Sequence, residues 1–463
     1  MTTADYPDDR RRSGQLATPR GVRAAITAAL RRLPLLLLCL CASVPAVADT
    51  GCASGEALQV RAVTGAAQDY AALLVLTREA RVVLLGEATH GSQEFYRERA
   101  RISRLLIDTQ GVTAIALEAP WQAVRRLDRY IAGEPRDGSA ATALHDFRRF
   151  PRWLWRNEAM RAFAEELRIL NEERRARGEA PVRLYGLDLY GLHEAADAVV
   201  HHLARQSLAT AAAARRDLDC FAPYYDIPEH YGLAVERHGA ADCAAIAAQH
   251  ERALRPDGDS DEDRFHAWMS ARLIQAAENY YRALYRRDVR SWNERERFLA
   301  DTLELLLARH DRIVVWAHNI HQGDARATDQ AEVGELSLGQ LIRERHGTAA
   351  VLIGLTTHRG TVRAAPGWGE PDRIFRLRPA TPDSVGGELH RLSRRCGLPA
   401  FLLVFRGDAT AARHFAVPRL ERFVGVSYLP HDERRAHYMH VRAAHQFDAL
   451  LHIDRTTALP PLR

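Results

Sequence analysis

The chain has 463 residues, with 64 basic and 59 acidic side chains and a formal charge of +5. Residues 1–48 hold seven Arg and three Asp, so residues 49–463 carry only +1. That balance gives no support to a nucleic-acid partner, which needs a clustered basic face. The chain contains no lysine, which excludes Schiff-base and lysine-nucleophile chemistry.

Residues 1–48 read as an export signal. Arg31 and Arg32 precede the apolar run Leu33 to Cys41, which is too short for a permanent span, and Ala46-Val47-Ala48 is a small-x-small cleavage site. The expectation is an exported protein, periplasmic or secreted, with no membrane span once the signal is removed. Cys52, Cys220, Cys243 and Cys396 follow the signal, and Cys220–Cys243 is the favoured disulfide because both flank one helical segment. No cysteine pair has zinc spacing.

The apolar run Val82–Leu85 predicts a strand that breaks at Gly86 into Glu87-Ala88-Thr89-His90-Gly91. A helical pattern follows, with Phe95, Ile102 and Leu106 on one stripe and Arg99 in its middle. A guanidinium on a core-facing stripe keeps its charge and needs a buried carboxylate, which Glu87 or Glu118 could supply. Three more strand-like runs end in polar groups: Val112–Leu117 in Glu118, Val182–Leu187 in Asp188, and Arg312–Ala317 in His318-Asn319-Ile320-His321. Each follows a helical pattern. The fold class is therefore α/β, a largely parallel sheet flanked by helices, whose strand ends converge on one crevice.

Residues 49–193 form the first part of this α/β core, and residues 194–307 read as a helical insertion or cap between strands. Residues 308–463 supply the second part of the core and a smaller C-terminal α/β part, with strands at Ala349–Leu355, Ala400–Phe405 and Ala449–Ile453.

Glu87 and His90 suit a general base whose tautomer is set by a carboxylate. The blander reading is a capped helix start, with Ser92 as N-cap and Glu94 in the first turn, which leaves His90 unexplained. His318 and His321 could join His90 around a metal, or donate to a developing oxyanion. No helix-borne HExxH or carboxylate cluster accompanies them, so no cofactor is expected. Asp188 and Asn319 are expected to contact substrate, although Asp188 also suits a strand-end cap. Trp153, Trp155, Trp268 and Trp292 read as core. A nucleophile elbow, a P-loop and a dinucleotide fingerprint are all missing, so activated water is the simplest hydrolytic route.

These segments resemble the erythromycin esterase family. The likeness runs through Gly86–Gly91 with Glu94, Phe95 and Arg99, then Leu117–Pro120, Phe150–Asn157 and Gly186–Asp188. It continues in Ser291–Arg295, Trp316–His321, Gly323–Thr328 and Phe447–Asp454. The resemblance implies a metal-independent hydrolase acting on the lactone of macrolides, with His90 as base and Glu87, Arg99, Glu118, His318 and His321 around the reacting ester. Glu296 stands where that family commonly has aspartate and is given no catalytic weight. Carboxylic ester or lactone hydrolysis is the broader expectation, with a small-molecule substrate as partner. Two rivals use the same histidines: a metal-dependent hydrolase or peptidase, and an exported haem-binding protein.

Overall fold

Continuous apolar strands need cover on both faces. In the computed structural model, which describes residues 52–53, 58–258, 261–286 and 289–462, they have it. Twelve strands are formed among the described residues: β1 Cys52–Ala53, β2 Gln59–Ala62, β3 Val82–Leu85, β4 Ala114–Pro120, β5 Arg183–Asp188 and β6 Ile313–Trp316. These are followed by β7 Ala350–Ala364, β8 Arg373–Leu377, β9 Ala400–Val404, β10 Arg419–Arg422, β11 Tyr438–Val441 and β12 Ala449–Thr456. The main sheet runs β1-β2-β9-β12-β7-β3-β6-β4-β5, with β8 paired to β7. From β12 to β5 every neighbour is parallel, and β9, β2, β1 and β8 add antiparallel edges. The C-terminal strands β7, β9 and β12 are thus continuous with the first strands. A separate ribbon pairs β10 with β11. The expected leader, residues 1–48, lies outside the described residues.

Alternation along β3 shows how the sheet divides its core. Val82 and Leu84 face the helices of the 194–307 region, while Val83 and Leu85 face the other layer. That second layer includes Gln93–Gln110 and Glu158–Ala176, through Phe95, Ile102, Phe163 and Leu167. The 194–307 region holds helices running from Leu192–Ala204 to Glu262–Ala283 and Arg290–Leu307. The Cys220–Cys243 disulfide staples this region. Asp49–Arg463 form one unit of contacts. Among the described residues no helix is long and apolar enough to cross a membrane.

Strand order positions the site. The chain leaves β3 for β4 and β5, returns through the helical region to insert β6 between β3 and β4, then crosses β3 to lay down β7. That reversal opens a crevice beyond the strands' carboxyl ends.

The turn after β3 is held from three sides. Val424 N–H donates to the Ala88 carbonyl and His90 N–H to the Val424 carbonyl, at 2.8 and 3.1 Å. The Gly91 carbonyl accepts from the N–H groups of Arg363 and Leu459, and Gln93 N–H donates to Thr457. Space is the reason for two glycines here. A Cβ at Gly86 would fall 2.0 Å from Asn319 Oδ1, and one at Gly91 would fall 1.8 Å from the Arg363 carbonyl oxygen. Ser92 is the N-cap residue by position, but its hydroxyl bonds Thr89 rather than the helix backbone.

Candidate active site

Arg99 lies on the buried stripe of Gln93–Gln110, completely inaccessible to solvent. Its Nη2 sits 2.9 Å from Glu87 Oε2, an ion pair whose N–H vectors are not aligned for a hydrogen bond. The guanidinium carbon lies 4.5 Å from the Tyr96 ring centroid and 4.9 Å from that of Trp316, so two aromatic faces share the charge. The other Glu87 oxygen accepts the Nδ1 proton of His90 at 2.8 Å. Of the two carboxylates that could have partnered Arg99, Glu87 does so. Burying an ion pair costs several kcal/mol per charge before the attraction is counted, and an apolar replacement is often as stable. Arg99 therefore earns its place through what it holds.

Glu118 closes β4 and faces the opposite wall. Its Oε2 accepts His318 N–H at 2.8 Å, and its Oε1 lies 2.9 Å from Arg295 Nη2 and 3.3 Å from His321 Nε2. Burial alone would raise the Glu118 pKa, but the charges of His321 and Arg295 hold it well below the carboxylate range.

His318 begins the short helix Asn319–Gln322 and caps it, its Nδ1 accepting Ile320 N–H at 3.3 Å. That leaves the ring proton on Nε2, a buried atom, with the Ala88 backbone among the groups that favour charge on the ring. Burial, followed by the neighbouring His90, pushes the His318 pKa far down, so the ring is neutral. The centroids of His90 and His318 are 4.6 Å apart. His321 has a different setting. Its Nδ1–H donates to Glu296 at 2.6 Å, its Nε2 accepts from Arg295 Nη1 at 3.1 Å, and its ring stacks on Trp292 at 4.8 Å. Burial opposes charge on this ring, but Glu118 and Glu296 outweigh it and raise its pKa.

Asp188 lines the same crevice with its carboxylate already engaged, accepting from Arg295 Nε and Nη2 at 3.0 and 2.7 Å. The expectation for Asn319 is corrected. Its Nδ2 donates to the Leu355 carbonyl at 3.1 Å and its Oδ1 faces Gln322 and the backbone of β7, so its amide ties β6 to β7 behind the cavity. Arg99 likewise is fully buried outside the residues that line the cavity, where it supports Glu87. Trp155 is buried in the core as expected and also lines the cavity, whereas Trp292 is only half-buried and lines it.

Two residues beyond the expected set prove central: Arg295 links Asp188, Glu118 and His321, and Glu296 backs His321. Both fall in a stretch, Asn293-Glu294-Arg295-Glu296-Arg297, whose alternating charge reads as a solvated helix face. The available signal was the family likeness over Ser291–Arg295, with Glu296 as the next residue.

His90, Glu118, Asp188, Arg295, His318 and His321 form the floor of a cavity of about 1080 Å³. Phe147, Phe150, Trp155, Tyr190 and Trp368 contribute aromatic walls, and the 194–307 region adds Tyr225, Tyr280 and Tyr281. Trp368 stands at the rim, 61% exposed. Among the described residues no group of three or more His, Cys, Asp or Glu is arranged to hold a metal ion. The Nδ1 atoms of all three site histidines are already committed.

Comparison with known proteins agrees with this architecture. A succinoglycan biosynthesis protein of known structure is 21% identical, with TM-score 0.70 over 87% of this chain and 96% of that one. A Bacillus cereus protein is 15% identical, with TM-score 0.71 over 87% and 96%. A mutant of the erythromycin esterase EreC in its open conformation is 16% identical, with TM-score 0.62 over 86% and 96%. At these identities the likeness concerns the fold. The erythromycin esterase family model matches residues 107–456, which takes in Glu118, Asp188, Arg295, Glu296, His318 and His321 and begins after His90. The chain belongs to the erythromycin esterase family.

Proposed function

We propose that this protein hydrolyses a carboxylic ester or macrolactone with water activated by His90. The observation that carries the reading is the buried Arg99–Glu87–His90 relay, ending at the cavity floor beside a neutral His318. Glu87 accepts the Nδ1 proton, so His90 Nε2 keeps its lone pair. Nε2 takes a proton from water as the water oxygen bonds to the ester carbon, and the carbonyl electron pair moves onto oxygen. His318 Nε2–H donates to that oxyanion. On collapse the acyl C–O bond breaks and the His90 imidazolium returns its proton to the leaving alkoxide. An ester gives acid and alcohol, and a lactone gives one hydroxy acid. Side chains supply the base, the donor and the counter-ions, so the scheme needs no cofactor.

The cavity sits at the upper end of the few hundred to about 1,000 Å³ usual for small-molecule sites, and its aromatic walls favour a bulky, largely apolar substrate. Export into an oxidising compartment is part of the proposal and draws on the Cys220–Cys243 disulfide.

The test is an ester and macrolide panel with mass spectrometry of products, run on the parent and on His90→Asn. The parent should add one water to an accepted substrate. The variant should melt at the same temperature and lose about a hundredfold to ten-thousandfold in kcat, the usual contribution of a general base. Full retained turnover would remove His90 from the mechanism.

A further inference from the structure

His321 is bonded at both ring nitrogens. Its Nδ1–H donates to Glu296 at 2.6 Å, and its Nε2 accepts from Arg295 Nη1 at 3.1 Å. A ring that donates from one nitrogen and accepts on the other is neutral, and it has no N–H left for a substrate. Glu296 sets this tautomer and is itself anchored, its Oε2 accepting Leu338 N–H at 2.7 Å. Trp292 lies nearly parallel to the ring, at 15°. The imidazole is therefore a support, and what it supports is the guanidinium of Arg295. A guanidinium carries five N–H groups in one rigid plane. On Arg295 four are committed. Nε–H and one Nη2–H grip Asp188 at 3.0 and 2.7 Å, the second Nη2–H meets Glu118 at 2.9 Å, and one Nη1–H meets His321. The second Nη1–H has no acceptor among the described residues, on a side chain that lines the cavity with His90 and His318. The guanidinium carbon also lies 5.3 Å from the Tyr190 ring centroid, so the plane is held by its edges and over a ring.

We propose that Arg295 is a catalytic residue that donates its open Nη1–H to the oxygen of the reacting carbonyl, and that His321 is the positioning residue that aims it. This rests on the hydrolytic reading above. As the carbonyl electron pair moves onto oxygen, Arg295 Nη1–H and His318 Nε2–H both donate to it, and the guanidinium keeps its proton throughout. Asp188 and Glu118 offset the charge of Arg295, and both are met through Nε and Nη2. What Nη1 offers is a directed hydrogen bond rather than a free cation. Four elements fix it before substrate arrives: β4 through Glu118, β5 through Asp188, the segment after β6 through His321, and the helix Arg290–Leu307 that bears Arg295 and Glu296. A donor already in place costs no reorganisation when the oxyanion forms.

Two measurements test the proposal. The first uses the parent with a phosphonate monoester matched to an accepted ester, whose tetrahedral anionic centre stands in for the oxyanion. In that crystal complex Arg295 Nη1 should lie about 2.7–3.1 Å from a phosphonyl oxygen. The second is kinetic. Arg295→Lys keeps a cation beside Asp188 and Glu118 but loses the planar fork, and kcat should fall by about a hundredfold to a thousandfold with KM little changed. His321→Leu should lose kcat on the same scale. His321→Gln, whose amide can accept from Arg295 and donate to Glu296, should recover most of that loss. A phosphonate that fails to bind, or binds with its oxygens away from Nη1, would overturn the role of Arg295. Undiminished kcat in His321→Leu, or a His321→Gln no better than it, would overturn that of His321. If Arg295→Lys does not fold, the parent complex decides for Arg295 without it. A parent that turns over no ester removes the hydrolytic reading and this proposal together, whereas turnover with the phosphonyl oxygen elsewhere removes Arg295 alone.

Discussion

Two groups of histidines gather on different strands of the same parallel sheet, and they are built for different ends. At β3 and β6, His90, His318 and His321 line a large cavity, each with Nδ1 held. At β7 and β12, His358 and His452 meet His390 of the helix Val385–Cys396, with Asp454 among them. There His358 and His390 stack face to face, centroids 3.7 Å apart and planes within 5°, and none of the three lines the cavity. Both groups hold strongly perturbed rings: burial, then His390, pushes His358 down to about 4. Perturbation reports burial in both places. A site needs room for a ligand and a nitrogen left to act on it, and only the first group has both.

The largest expected effect is on the cation behind the first group. Arg99→Met would leave Glu87 buried without its counter-charge, a loss of about 3–5 kcal/mol for breaking a buried pair. His90 would lose its fixed acceptor with it, and turnover should fall by about a hundredfold. Denaturant unfolding and steady-state kinetics would read the two losses. A variant that kept both stability and turnover would show that the buried pair is not what separates the two groups.

An intermediate effect belongs to the second group. His358 is 7% exposed, and its folded pKa of about 4 lies below the ordinary 6.5. The unfolded chain binds the proton first, so stability is lost as pH falls from about 6.5 towards 4. His358→Gln removes that proton. Its melting temperature should fall less steeply over this window, with ester turnover unchanged at neutral pH. An equally steep fall would move the acid sensitivity elsewhere.

The smallest effect is at the rim. Trp368 meets Phe150 edge-on at 5.1 Å, and Trp368→Ala should raise KM by about threefold to tenfold, the worth of one aromatic contact, and leave kcat alone. An unchanged KM for the bulkiest accepted substrate would place substrate deeper in the cavity.

Much of this was legible because buried strands leave a plain record. Val82–Leu85 is a strand with the expected bounds; Glu118 lies within β4, Asp188 ends β5 and His318 follows β6, all close to where the apolar runs stand. Arg99 was legible because a charge interrupts an apolar stripe. Arg295 and Glu296 were not, since a helix rich in Arg and Glu looks solvated until the partners Asp188 and His321, distant in sequence, come into view. β7 runs on to Ala364 through Thr356-Thr357-His358-Arg359, where polarity hides the strand, and only pairing with β8 and β12 reveals it. Asn319 misled for the converse reason: a polar side chain beside the cavity histidines was spent on backbone.

The hydrogen bonds from Leu459 to Gly91 and from Gln93 to Thr457 also carry a meaning in time. They join positions more than 360 residues apart, and Thr457 additionally binds Glu94. A growing chain reaches the turn that bears His90 long before it reaches the segment that locks it. Closing so long a loop is a slow event in folding. Helices and the first strands can form early, but the catalytic geometry waits for the last part of the molecule. Recovery of hydrolysis during refolding would then trail recovery of secondary structure, making activity a clock for the final contact.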